Sequence, residues 1–242
     1  MRSGVRDLLR TILRLPLRLV PRNKIMRIRS GPLRGSKWIA GSAPHSSWLG
    51  TYERQVQQLF CERIRQGDVV FDIGANVGFF TLLASKLAGP SGHVYAFEPF
   101  PRNLSYIEKH LRLNDVTNVT VQPIAIASTS GSARFGDGEN DSQGRLSEKG
   151  EVVVRTASLD DLMAEGSVRI PAFIKMDIEG AESEALRGAS TLLASTGLTL
   201  VLSTHGHVQQ ERCWAALQSA GFDLRLLRDG AADGDYLVLG TR

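Results

Sequence analysis

Apolar residues run along this chain in two rhythms. Short, nearly unbroken apolar runs sit at Val69–Ile73, Val94–Phe97, Ala172–Met176 and Leu198–Leu202. They predict strands buried on both faces of a parallel sheet. Between them, apolar positions three and four apart predict helices over Phe79–Leu87, Arg102–Leu113 and Val208–Ala220. Strand and helix therefore alternate, which is the pattern of an α/β fold. Val119–Ile124 adds another strand, and Asp223–Leu227 with Tyr236–Leu239 predicts an antiparallel hairpin at one sheet edge. Short strands at Ala133–Phe135 and Val152–Arg155 flank a polar hairpin loop. Ser158 caps a helix whose first turn holds Asp160 and Asp161.

Before the first of these strands the pattern changes. Arg2, Arg6, Arg10, Arg14, Arg18 and Arg22 recur four apart, with Val5, Leu8, Leu9, Ile12 and Leu13 at helical spacing. Residues 1–30 therefore predict a basic amphipathic helix, interrupted near Pro16. It suits an anionic membrane surface or a partner, or packs its leucines on the domain with its arginines solvated. Arginines break each candidate signal core, and no stretch is long enough to span a bilayer, so the expected location is cytoplasmic. Residues 31–51, rich in Gly, Pro and Ser, predict an irregular lead-in around Trp38 and Trp48. Residues 1–37 thus form a basic segment, and residues 38–242 a single domain.

Charge sharpens that division. Residues 1–37 hold eleven Lys/Arg against one acid, a net of +10, whereas the other 205 hold 18 basic and 24 acidic residues, a net of −6. A mildly acidic domain argues against a nucleic-acid face. Cys61 and Cys213 have no metal-type spacing and read as isolated thiols of a reducing compartment.

The chemistry gathers after the first strand, in Asp72-Ile-Gly74-Ala-Asn76-Val-Gly78. A strand, a glycine turn and a helix start form a nucleotide-type site. The dinucleotide fingerprint lacks its middle glycine here, where Asn76 stands. Asp72 would repel a pyrophosphate but suits a cationic ligand such as S-adenosylmethionine. Glu98, at the next strand tip, can accept two ribose hydroxyls. Asp177, Glu179 and His205 also fall at strand carboxyl ends, where ligands of open parallel sheets bind. His93 lies at the opposite end of its strand and His110 on a helix, and both read as structural. Asp137, Glu139, Asp141 and Glu148 take four positions of a calcium loop, but Ser142 replaces its glycine, so a solvated loop is expected, or a lid over the substrate.

Three motifs together, Asp72–Gly78, Phe97-Glu-Pro-Phe-Pro-Arg-Asn103 and Ile174-Lys-Met-Asp-Ile-Glu-Gly-Ala-Glu182, resemble the FkbM family of S-adenosylmethionine-dependent methyltransferases. The resemblance spans about residues 52–202. It implies a Rossmann-like class I methyltransferase fold, with a mostly parallel seven-stranded sheet, helices on both faces and an antiparallel edge strand. It also implies O-methylation of a hydroxyl on a small molecule, sugar or glycan. For the cofactor it implies Asp72, Gly74, Asn76, Gly78, Glu98 and Asp177, with Glu53 as a contact to the methionine amino group. Adenine would sit at the turn from Ala125 to Ser128. His205, Asp177 and Glu179 are the candidate catalytic groups. His205 is the leading base, because an imidazole can titrate near neutrality. The two acids read equally as bases, as amino-group ligands or as metal ligands. Two carboxylates alone do not make a metal set, so no metal is assigned. The competing functions are a nicotinamide-dependent oxidoreductase on a similar core and a membrane-recruited, non-catalytic scaffold.

Overall fold

The computed structural model describes residues 20–137, 144–146, 152–230 and 234–242. The arginine repeat to Arg18, the calcium-loop positions Glu139, Asp141 and Glu148, and most of the polar loop lie outside these residues. The chain divides into two units, one up to Arg54 and one from Gln55 to Arg242.

In the first unit, β1 (Ile25–Arg27) pairs antiparallel with β2 (Lys37–Ile39). The helical pattern expected to residue 30 therefore gives way to a strand by Ile25. β-branched Ile25 and Ile39 face each other in that ladder. Trp38 and Trp48 are buried, and a short helix, His45–Leu49, ends at Gly50 in the left-handed conformation. A side chain at Gly50 would strike the Ser30 carbonyl, so this chain crossing demands glycine.

The second unit is built on a seven-stranded sheet. Its strands are β3 (Val69–Ile73), β4 (His93–Phe97), β5 (Val119–Gln122), β10 (Phe173–Met176), β11 (Thr199–His205), β12 (Asp223–Arg228) and β13 (Asp235–Thr241). Their order is β12-β13-β11-β10-β3-β4-β5. β13 runs antiparallel to both its neighbours, whereas β3, β4, β5, β10 and β11 are mutually parallel. The antiparallel strand thus sits one place in from the edge, with β12 outside it. All five residues of β3 are buried, because helices cover both faces. Phe71, Phe97, Ile174 and Leu200 join the large core on one face. Phe60, from the helix Arg54–Arg63, meets Phe80 and Phe173.

A second sheet arises where a strand expected to run to Ile124 breaks at Pro123. Proline has no N–H to continue the ladder. β6 (Ile124–Ile126) leaves to join β7 (Gly131–Asp137), β8 (Gly144–Leu146) and β9 (Val152–Ala157) in the order β6-β9-β7-β8. Ala125, expected in a turn, is instead a buried strand residue opposite Thr156. Ser158 caps the helix Leu159–Ala164 as expected, accepting from the Asp161 N–H at 3.0 Å. Asp160 does more than favour a dipole: it accepts from the N–H groups of Thr191 and Leu192, which open a neighbouring helix.

Candidate active site at the strand carboxyl ends

The first half of the site is a buried cradle. Register sets Asp72 of β3 opposite Lys175 of β10. Asp72 is fully buried, and its Oδ2 accepts from the Thr81 hydroxyl at 2.6 Å. Its Oδ1 lies 3.6 Å from Lys175 Nζ, an ion-pair separation rather than a hydrogen bond. Burial raises the Asp72 pKa, and the Lys175 charge and the Thr81 bond oppose the rise. Lys175 also donates to the Gly74 carbonyl at 2.8 Å, so the pair reaches the glycine turn itself. Asp72 therefore faces into the protein, onto these partners.

The turn is tightly specified. Gly74 has φ +75, and a Cβ there would come within 1.9 Å of the Asp177 carbonyl oxygen. Only glycine lets the loops after β3 and β10 approach so closely. Asn76, where the dinucleotide pattern wants glycine, also holds a left-handed φ of +51. Asparagine tolerates that region better than most residues. Gly78 (φ +88) precedes the helix Phe79–Ala88 and lies against Ile107. Buried His110 donates from Nδ1 to the Val77 carbonyl at 2.8 Å, which fixes its tautomer. Burial holds its pKa down at about 4, so it is neutral at physiological pH and props up the turn.

Glu98 closes this half. It is 5% exposed, and its two oxygens accept from the N–H groups of Asn76 (2.8 Å) and Phe100 (2.9 Å). Burial pushes its pKa up to about 7, against the opposing bonds from Phe100, Asn76 and Asn103. The carboxyl group is thereby tied to the glycine turn at the strand tip.

The second half is open and acidic. Asp177, Glu179 and His205 converge: His205 Nε2 lies 3.6 Å from Asp177 Oδ1 and 3.5 Å from Glu179 Oε2. Their side chains are 22%, 33% and 25% exposed. Glu179 adopts a left-handed φ of +54, and Gly180 follows at +99. Buried Glu182 holds that turn, its Oε1 accepting from the Gly180 N–H at 3.0 Å. The same oxygen pairs with His205 Nδ1 at 2.9 Å. Burial alone would lower the His205 pKa, but the Glu182 bond and the charges of Asp177, Glu182 and Glu179 outweigh it and raise it to about 9. Burial, partly offset by His205, raises that of Glu179.

Of the residues expected at the site, Asp72, Gly74, Asn76, Gly78, Glu98, Asp177, Glu179 and His205 line adjoining strand ends. Glu53 belongs to the first unit, where it holds a left-handed φ of +41 just before the helix Arg54–Arg63. Ala125 lies in the second sheet. Lys175 and Glu182 were missed as site residues. A lysine inside an otherwise apolar strand was a usable signal, because a buried ammonium needs an anionic neighbour. Glu182 offered none, since an acid in a first helical turn is ordinary.

Comparison with known proteins bears on this geometry. Residues 72–224 match the methyltransferase FkbM domain. Hexuronic acid methyltransferase AglP of Haloferax volcanii is 31% identical over 194 residues, covering 78% of this chain and 77% of its own. The 2-O-methyltransferase NoeI of Sinorhizobium fredii is 27% identical over 148 residues, 53% of this chain and 60% of its own. The crystal structure of methyltransferase FkbM from Methylobacillus flagellatus KT matches with a TM-score of 0.55 at 19% identity, over 82% of this chain and 55% of that one. Likeness at that identity speaks for the fold.

Proposed function

The chain belongs to the FkbM methyltransferase family, and from that premise we propose that it methylates a hydroxyl group of a sugar, such as a uronic acid, or of a related small molecule in the cytoplasm. It is an S-adenosylmethionine-dependent enzyme, and neither the oxidoreductase nor the scaffold alternative finds support. The acceptor class is supported by the hexuronic acid and 2-O-methyl activities named for AglP and NoeI. Among the described residues, no helix is long and apolar enough to cross a membrane. Contact of residues 1–30 with an anionic membrane surface remains part of this proposal.

The cofactor supplies a methyl group made electrophilic by its sulfonium. The protein's own residues do the rest. Glu98 accepts the ribose hydroxyls, and the turn from Gly74 to Gly78 offers backbone free of bulky side chains. Asp72 acts through Lys175 and Thr81, shaping that turn from beneath it. Asp177 binds the methionine amino group, and the backbone about Ala125 borders the adenine. The acceptor hydroxyl approaches Asp177, Glu179 and His205, where a carboxylate can accept a proton as the oxygen attacks. The convergence of these three partly exposed groups beside the glycine turn carries the proposal.

Calorimetry with S-adenosylhomocysteine, and methyl transfer to glucuronate-terminated glycans, tests it. Asp177→Asn should lower turnover by about 10²–10⁴-fold. Wild-type protein that binds no S-adenosylhomocysteine, or an Asp177→Asn variant with full turnover, would overturn it.

A further inference from the structure

We infer that Asp177, Glu179 and His205 hold a divalent cation that binds the acceptor through two of its oxygen atoms. The donor atoms of these three side chains all lie within 4.8 Å of one another, and among the described residues they are the group of His, Cys, Asp and Glu with this geometry. Ligands on a cation with bonds of about 2.1–2.4 Å stand about 3–3.5 Å apart when adjacent. The His205 Nε2 separations of 3.6 Å from Asp177 and 3.5 Å from Glu179 need only slight side-chain movement to meet this.

A second observation sets this cluster apart from a solvated acidic patch. Glu182 is fully buried and pairs with His205 Nδ1 at 2.9 Å, which orients Nε2 toward the two carboxylates. A histidine whose second nitrogen is fixed by a buried carboxylate is the arrangement that supports metal-ligating imidazoles. The other Glu182 oxygen, Oε2, is buried with no hydrogen-bond partner among the described residues. A buried carboxyl oxygen left without a donor is costly unless positive charge lies nearby. One imidazole and two carboxylates suit Mn²⁺ or a similar first-row cation. Three protein ligands leave coordination positions open for substrate.

The consequence for the acceptor rests on the methyl-transfer reading. Vicinal hydroxyls, or a hydroxyl beside a carboxylate, can chelate at the open positions, so the site selects acceptors with paired oxygens. Coordination lowers the hydroxyl pKa. The three ligands then act through the cation instead of as the base: the hydroxyl proton leaves to solvent, the oxygen lone pair forms the O–CH₃ bond, and the C–S bond breaks with its electron pair retained by sulfur.

The full chain, stripped with a chelator, is titrated with Mn²⁺ and followed by electron paramagnetic resonance. One Mn²⁺ per chain is expected. Glu182→Gln should weaken binding by about 10–100-fold. Glu179→Gln and His205→Ala should weaken it by at least about tenfold. Glu179 lies on a partly exposed turn, so its variant should keep the wild-type circular dichroism spectrum. Absence of Mn²⁺ binding, or binding unchanged in Glu179→Gln and His205→Ala, would sink the inference. Calorimetry with S-adenosylhomocysteine on the same preparation separates the two claims. Cofactor binding without Mn²⁺ binding overturns the metal alone, while Mn²⁺ binding without cofactor binding overturns methyl transfer alone.

Discussion

The two halves of the site are built on opposite terms. Around Asp72 and Glu98 the charged groups are buried, and each is engaged by the backbone or by a partner on a neighbouring element. Around Glu179 and His205 those two side chains are a quarter to a third exposed, Asp177, Glu179 and the buried Glu182 face one imidazole, and the backbone at Glu179 is strained. The first half is part of the folding core and rigid for that reason. The second sits on the turn after β10, where Glu179 and Gly180 hold positive φ and the Asp177 carbonyl lies against Gly74. Holding a cofactor needs pre-organisation, whereas deprotonating and releasing an acceptor needs groups that water and substrate can reach.

The strongest way to break that contrast is to show that the buried half does not support the fold. Lys175 and Asp72 are 6% and 0% exposed at their side chains, so Lys175→Met leaves a carboxylate buried without its counter-charge. Removing one partner of such a pair costs about 3–5 kcal/mol. Urea denaturation should show a loss of that order, and the Asp72→Asn/Lys175→Met double variant should recover much of it. A loss in the single variant below about 1 kcal/mol would make the pair behave like a surface contact.

The same contrast explains what the sequence disclosed. The parallel strands were legible because β3 and β10 are buried on both faces and so are almost wholly apolar. The glycine turn, Glu98 and Asp177 were legible because strand ends collect ligand-binding residues. The Lys175–Asp72 pair was hidden, since it depends on the β3–β10 register, a contact about a hundred residues apart in sequence. The link from Glu182 to His205 was hidden likewise, because it joins a helix start to the end of β11. The antiparallel hairpin was legible as a hairpin, yet no periodicity says which of its strands lies outermost. Ala125 was misread because Pro123 looked like part of one strand rather than the break between two sheets.

A finer probe is pH. Burial raises Glu98 from an ordinary 4.5 to about 7, so in the free protein this acid binds its proton more tightly folded than unfolded. Its contribution to folding stability is full below about pH 4.5 and fades as the pH rises through about 7. Cofactor binding should run the other way, because ribose hydroxyls donate to an ionised carboxylate. Affinity for S-adenosylhomocysteine should rise about tenfold between about pH 6 and 8, worth about 1.4 kcal/mol. The Glu98→Gln variant should bind weakly with a flat profile. A flat wild-type profile in calorimetry would mean that Glu98 is not the ribose acceptor.

The smallest expected effect separates the two halves most cleanly, because each contains a non-glycine residue in the left-handed region. Asn76 has φ +51 in the buried half, and Glu179 has φ +54 in the open half. Asparagine carries little strain there, since its short side chain tolerates the conformation, whereas glutamate carries the full steric cost. Glycine removes that cost but loosens the unfolded chain, and the two effects partly cancel. Glu179→Gly also removes a partly buried carboxylate whose burial, with the repulsion from Asp177 and Glu182, outweighs its attraction to His205. It should therefore stabilise the protein by about 0.5 kcal/mol while lowering methyl transfer. Asn76→Gly should leave stability within about 0.3 kcal/mol of wild type. Paired thermal melts decide the matter: a destabilised Glu179→Gly would show that the open turn supports the fold, and that strain there is not kept for function.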